Sequence, residues 1–195
     1  MNKPQPIKLG VSGDPGSFSE LAGLQYTKQE NLQTRLVYLT DMQGVLAALS
    51  QGQIDLGIFP VVNFYGGLVT MAFEAMGQYA FTFLGEIRLE IQQCLLVKPA
   101  VSQQQIKQIV SHPQALAQCR DYLKTHFQDA SLLAWQDTAK AAKALLDGEL
   151  PATSAVIAPA HAAAMYGLAV LAERIQDVDP NITVFIIVEK RACQR

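Results

Sequence analysis

IKLGVSGDPGSFSELAGLQY (7–26) decides the fold. Residues 7–11 form a short apolar run, and SGDPGS breaks it at once. From Ser17 to Tyr26 the spacing turns helical, with Phe18, Leu21, Ala22 and Gln25 or Tyr26 on related faces. A strand, a turn of small residues and a helix in immediate succession make a βα unit.

The same alternation continues outward from this segment. Residues 36–39 predict a second strand. Asp41 predicts an N-cap for a helix over 42–50, with Gly52 just past its end. Residues 54–59 predict a buried strand stopped by Pro60, and a helix is expected after the Gly66-Gly67 pair. Residues 79–97 read as extended segments broken near Gly85, with Pro99 ending the run. Residues 106–110 predict a strand. Pro113 then fits the first turn of one helix running to about Phe127. A strand over 132–135 follows, and Asp137 or Thr138 caps an Ala-rich helix to Leu146, closed by Gly148. Residues 154–158 predict a strand, Pro159 opens a helix ending near Gly167, and strands over 168–171 and 182–188 complete the chain.

Repeated βα units predict a mostly parallel sheet flanked by helices. The break near Gly85 predicts a change of lobe. The expected division is a first lobe of about 1–85 plus 181–195 and a second of about 86–180. Two such αβ lobes would bind a ligand in the cleft between them.

Composition narrows the function classes. Half of the 195 residues are hydrophobic, 16% are charged and the net charge is −2. That is ordinary globular composition, without the basic stripe that nucleic acid or an anionic membrane would call for. The opening MNKPQPIKLG is polar, and no stretch approaches the roughly 18 to 20 apolar residues of a membrane helix. Cys94, Cys119 and Cys193 are odd in number and widely spaced, which points to a reducing compartment. A soluble, cytoplasmic protein without metal or cofactor is the expectation.

Three segments place small or polar residues at a helix start: SGDPGSFSE (12–20), SHPQA (111–115) and QDTAKAA (136–142). Free backbone N–H groups at such starts receive carboxylates or phosphates, and they also serve as ordinary caps. His112 could act as acid or base, although a turn residue capping backbone is the simpler reading. Cys94, in IQQCLLV, reads as a buried thiol. GxSxG, GxxxxGK[ST] and GxGxxG are all absent.

The motifs, taken in order, carry a family resemblance. GDPGSFSELA (13–22) resembles the opening glycine-rich motif of prephenate and arogenate dehydratases, and SHPQALAQC (111–119) resembles their central motif. DTAKAA (137–142), AVIAPAHAAAMYGLAVLAERIQD (155–177) and the N-x-T-x-F of 181–185 follow in the family's order. GQIDLGIFPVVN (52–63) fits the stretch that normally runs to Pro-x-Glu-Asn. The resemblance implies a type II periplasmic-binding-protein-like α/β fold with two lobes. It implies a lyase that converts prephenate to phenylpyruvate with loss of water and carbon dioxide. Thr183 matches the threonine credited with helping the hydroxyl leave. Ser17, Asn63, Gln93, Thr138 and Phe185 are the implied substrate-binding positions, with backbone N–H groups near Ser17 and Thr138 as carboxylate receptors.

Several positions depart from the family pattern. Val184 stands for an arginine, Val62 for the glutamate of Pro-x-Glu-Asn, Phe64 for a small polar residue, Leu68 for a serine and Gln92-Gln93 for a histidine pair. Arg88 is a candidate replacement cation. These departures leave two other readings open: a non-catalytic binding module for a small acid, and a prephenate decarboxylase that does not aromatise the ring. The family commonly pairs as dimers, so a homodimer is open as well. Most members continue into a phenylalanine-binding ACT domain. These residues hold no counterpart, and feedback through such a domain is not expected.

Overall fold

The structure, a computed structural model, describes residues 5–191. In chain order the elements are β1 (Ile7–Ser12), α1 (Phe18–Gln29), β2 (Thr34–Leu39), α2 (Met42–Ser50), β3 (Leu56–Asn63), β4 (Gly67–Leu68), α3 (Thr70–Met76) and β5 (Phe81–Glu90). They continue with β6 (Cys94–Val97), β7 (Gln108–Ser111), α4 (Pro113–Gln118), α5 (Arg120–His126), β8 (Ser131–Ala134), α6 (Thr138–Asp147), β9 (Ser154–Ala158), α7 (Ala160–Tyr166), β10 (Ala169–Ala172) and β11 (Ile182–Lys190). No helix among the described residues is long and apolar enough to cross a membrane.

Contacts divide the chain into two units. One comprises the residues up to Asp14, Phe18–Leu89 and Ile182 onward; the other comprises Pro15–Ser17 and Glu90–Asn181. The first unit holds a sheet in the order β2-β1-β3-β11-β5, with β4 against β3. β1 runs parallel to β2 and β3, whereas β11 is antiparallel to β3. Alternate residues of β11 serve the two faces of this sheet. Val184, Ile186 and Val188 pack with Val45, Leu49 and Ala72 of α2 and α3. Phe185 and Ile187 pack with Leu9, Val11 and Ala22 on the other face. The second unit has a sheet in the order β10-β6-β9-β7-β8, parallel among β7, β8 and β9 and antiparallel where β6 meets β9 and β10. Both sheets are therefore more mixed than the alternating pattern predicts.

Local signals hold where the partner is near in sequence. Asp41 Oδ1 accepts from the Gly44 N–H at 2.8 Å, and Asp137 Oδ1 accepts from Ala139 and Lys140 at 2.7 and 3.1 Å. Gly148 closes α6 with φ of 82°, a conformation glycine adopts without a Cβ clash.

Three expectations are corrected. Pro60 does not stop its strand. The register against β11 slips between Val184 and Phe185, so that Val184 faces Val62 and Phe185 faces Pro60, with Val61 left over. A bulge is where a strand tolerates proline, because a ladder bond is already missing there. Gly85 does not break the extended run either, since β5 is continuous from Phe81 to Glu90. Finally, the single helix expected after Pro113 is two helices meeting at Cys119. The Asp177 N–H bonds the Gln118 carbonyl at 2.7 Å, and the Asp177 carboxylate accepts from the Asp121 and Tyr122 N–H groups at 3.1–3.3 Å. A carboxylate from 56 residues away thus caps the second helix.

Candidate functional site

The bulge at Val61 sets the register of the site strands. Beyond it, Thr183 stands opposite Asn63 and Val184 opposite Val62. β4 adds a third strand, with Leu68 beside Val62 and Gly67 beside Asn63. Two parallel rows result. One is polar, Asn63 and Thr183. The other is apolar, Leu68, Val62 and Val184. Three of the positions that depart from the family pattern are therefore cross-strand neighbours.

In the polar row, Asn63 Nδ2 donates to Thr183 Oγ1 at 2.9 Å and to the Ile182 carbonyl at 3.3 Å. Asn63 Oδ1 accepts from the Tyr65 and Gly66 N–H groups at 3.1 and 2.7 Å, which holds the turn into β4. Both ends of this amide are engaged, so Asn63 acts chiefly on Thr183 and the turn. Thr183 Oγ1 accepts one bond, which leaves its own proton available to donate. Both residues are buried, at 3% and 8% exposure. The apolar row opens outward, for Val184 is buried while Leu68 is 67% exposed and Phe64, just past Asn63, is 65% exposed.

The second unit holds a buried amide cluster. Gln93 Nε2 and Asn181 Nδ2 both donate to Gln118 Oε1, at 2.9 and 3.1 Å. The Gln93 N–H donates to Gln176 Oε1 at 3.0 Å. Gln93 Oε1 and Gln176 Nε2 are buried without a hydrogen-bond partner. Such atoms are rare in folded proteins, because an unpaired buried acceptor or donor costs about 1–3 kcal/mol. Gln118, Gln176 and Asn181 carry no motif-independent signal in sequence. With Gln93 they are drawn together from three segments, at 93, 118 and 176–181.

The remaining candidates fall as follows. Ser17 is buried in the second unit. Next to it, Tyr166 Oη donates to the Pro15 carbonyl at 2.6 Å. Gly16 has φ of 89°, and a Cβ there would lie 3.1 Å from the Tyr166 ring. Thr138 is the first residue of α6, beside the Asp137 cap. Phe185 turns into the core, 2% exposed among Leu9, Val11 and Ile187. Arg88 lies on β5 and pairs with Glu86 at 2.8 Å. His112 Nδ1 accepts from the Gln114 N–H at 3.2 Å, which is the capping role. Cys94 and Cys119 are buried, and burial pushes both thiols up. Cys193 lies outside the described residues.

Comparison with known proteins puts a family on this geometry. The chain is 32% identical to arogenate dehydratase 1 of Petunia hybrida over 185 residues, covering 94% of this chain and 42% of that protein. It is 32% identical to a bifunctional chorismate mutase/prephenate dehydratase of Stutzerimonas stutzeri over 184 residues, covering 94% and 49%. The chain thus spans about half the length of the curated relatives it matches. Among solved structures, a prephenate dehydratase from Arthrobacter aurescens in complex with L-Phe superposes with a TM-score of 0.87 at 28% identity, over 97% of this chain and 63% of that one. A periplasmic substrate-binding protein of an ABC transporter from Coxiella burnetii shares the fold, with a TM-score of 0.51 at 16% identity over 92% and 84% of the two chains. The periplasmic-binding-protein-like α/β expectation is borne out. The family model described as prephenate dehydratase matches residues 9–193, a span that takes in both sheets, the Asn63–Thr183 row and the amide cluster, and the chain belongs to that family.

Proposed function

We propose that the chain is a prephenate dehydratase-like lyase, forming phenylpyruvate in phenylalanine biosynthesis. The observation that carries this reading is the Asn63–Thr183 bond. It fixes the hydroxyl oxygen as an acceptor from one side, so its proton points elsewhere, toward a departing oxygen. In the reaction the ring–carboxylate bond breaks and its electron pair enters the ring. The C–O bond at the opposite end of the ring then breaks, with its pair going to the hydroxyl. That oxygen takes a proton and leaves as water, carbon dioxide leaves from the other end, and the ring is aromatic. Thr183 serves by donating a hydrogen bond as charge builds on the leaving oxygen, an interaction stronger in the transition state than before it.

Ser17 and Thr138 belong to the proposal through backbone N–H groups that receive carboxylates. Gln93 brings a buried acceptor that has no protein partner. Phe185 acts through the placement of β11, where it is packed. Two chains are proposed to pair.

The apolar row favours a second reading, a binding module for a less anionic small acid, because Leu68, Val62 and Val184 stand where the family pattern has a serine, a glutamate and an arginine. Incubation of the pure protein with prephenate and, separately, with arogenate separates the readings when ultraviolet absorption and product mass are both recorded. Phenylpyruvate or phenylalanine as product supports the lyase. Loss of carbon dioxide alone, without an aromatic product, assigns a decarboxylase. Saturable binding without turnover assigns the binding module, and neither binding nor turnover removes the dehydratase reading.

A further inference from the structure

The second unit carries a groove of about 880 Å³, lined from α4, α5 and the edge strand β8. That volume lies within the roughly 300–1,000 Å³ of small-molecule sites. Leu116, Leu123 and Phe127 line it and belong to the apolar core beneath the helices. Leu132 lines it from β8 and is 54% exposed. The groove therefore continues the core outward onto an uncovered leucine.

Charge is laid along the same wall. Arg120, Leu123, Lys124 and Phe127, on α5 and its C-terminal cap, follow one another at i, i+3, i+4 and i+7. That spacing puts all four on one helix face. Arg120 and Lys124 lie one turn apart, about 6 Å along the axis. Both are exposed. The ion pairs of this unit form elsewhere, Lys143 with Asp147 and Arg174 with Glu90 and Asp179. Asp121 also lines the groove, so two cations stand against one acid. An anion between Arg120 and Lys124 would receive charge-assisted hydrogen bonds from both. A chain attached to it would run over Leu123 and Phe127 onto Leu132. A head without a tail leaves the leucine uncovered, and a tail without a head leaves the cations unused. Neither tryptophan nor tyrosine is among the lining residues, so the wall suits an aliphatic chain better than a stacked ring.

We propose that this groove binds a medium-chain aliphatic carboxylate, with its head on Arg120 and Lys124 and its tail over Leu123, Phe127 and Leu132. The site goes beyond the dehydratase reading and stands or falls separately from it.

Calorimetric titration of the chain with decanoate, kept below the concentration at which it forms micelles, tests the proposal. Acetate serves as the head without a tail, and decyltrimethylammonium as the tail with the opposite charge. Circular dichroism confirms that every variant is folded, as expected for changes at exposed positions. Decanoate should saturate one site with a Kd of about 10–100 µM. Acetate should not bind, and decyltrimethylammonium should bind at least about tenfold more weakly than decanoate. The double variant Arg120→Gln/Lys124→Gln and the single variant Leu132→Asp should each weaken decanoate binding by about tenfold. Failure of decanoate to saturate by about 1 mM overturns the proposal. So does equal affinity for decyltrimethylammonium. Decanoate binding indifferent to both variants lies at another place on the chain and overturns it as well.

Discussion

The apolar row of Leu68, Val62 and Val184 and the amide cluster of Gln93, Gln118, Gln176 and Asn181 are both built across several chain segments, yet they differ in how they accommodate change. The row consists of cross-strand neighbours on β4, β3 and β11. A charge at any one of its positions needs an opposite charge next to it, so the positions can turn apolar together and remain consistent. The cluster is tied through side chains and through main chain, since Gln118 also gives its carbonyl to the Asp177 N–H. Changing one member strands the others. Neighbouring pairs can therefore be exchanged as a set, whereas a shared acceptor resists exchange.

The sharpest way to break this comparison is at Val184. Val184→Arg alone puts a guanidinium among Val45, Leu49 and Ala72, and should lower unfolding free energy by about 2–4 kcal/mol. Adding Val62→Glu supplies the facing charge and should recover about half of that loss in chemical denaturation. If the two changes are simply additive, the row is not a coupled unit. Thr183 comes next. Thr183→Ala should reduce kcat about a hundredfold, or about 2.7 kcal/mol, with KM changed by less than about threefold, while Thr183→Ser retains most of the activity. An unchanged kcat would remove the hydroxyl from the mechanism. The smallest effect is expected at Gln118. Gln118→Leu takes the shared acceptor from Gln93 and Asn181 and should cost about 2 kcal/mol in stability. A neutral result would show the cluster to be as exchangeable as the row.

The sequence was most legible where partners are close along the chain. Asp41, Asp137 and His112 cap helices two or three residues away, and Gly148 stops its helix by its own conformation. Strand β9 falls where its apolar run lies. Two of the misreadings involve distant partners. Nothing near Cys119 announces a helix break, because the cause is Asp177. Pro60 reads as a strand stop until β11 offers it a bulge. Motif resemblance brought out Thr183 and Asn63 separately, but not the bond that joins them across 120 residues. Gln118 sat inside a recognised motif without its role being visible, since Gln93 and Asn181 come from other segments.

The position of β11 has a consequence during synthesis. It is the last of the described strands in chain order, yet it lies inside the first unit's sheet, between β3 and β5. Until residues 182–190 leave the ribosome, β3 and β5 have no shared neighbour and the Asn63 amide has no Thr183 to hold. Such long-range closure slows folding and leaves strand edges open to wrong partners. A nascent chain paused before Ile182 would carry its second unit's segments complete and its first sheet divided, with a seam where Thr183 is to arrive.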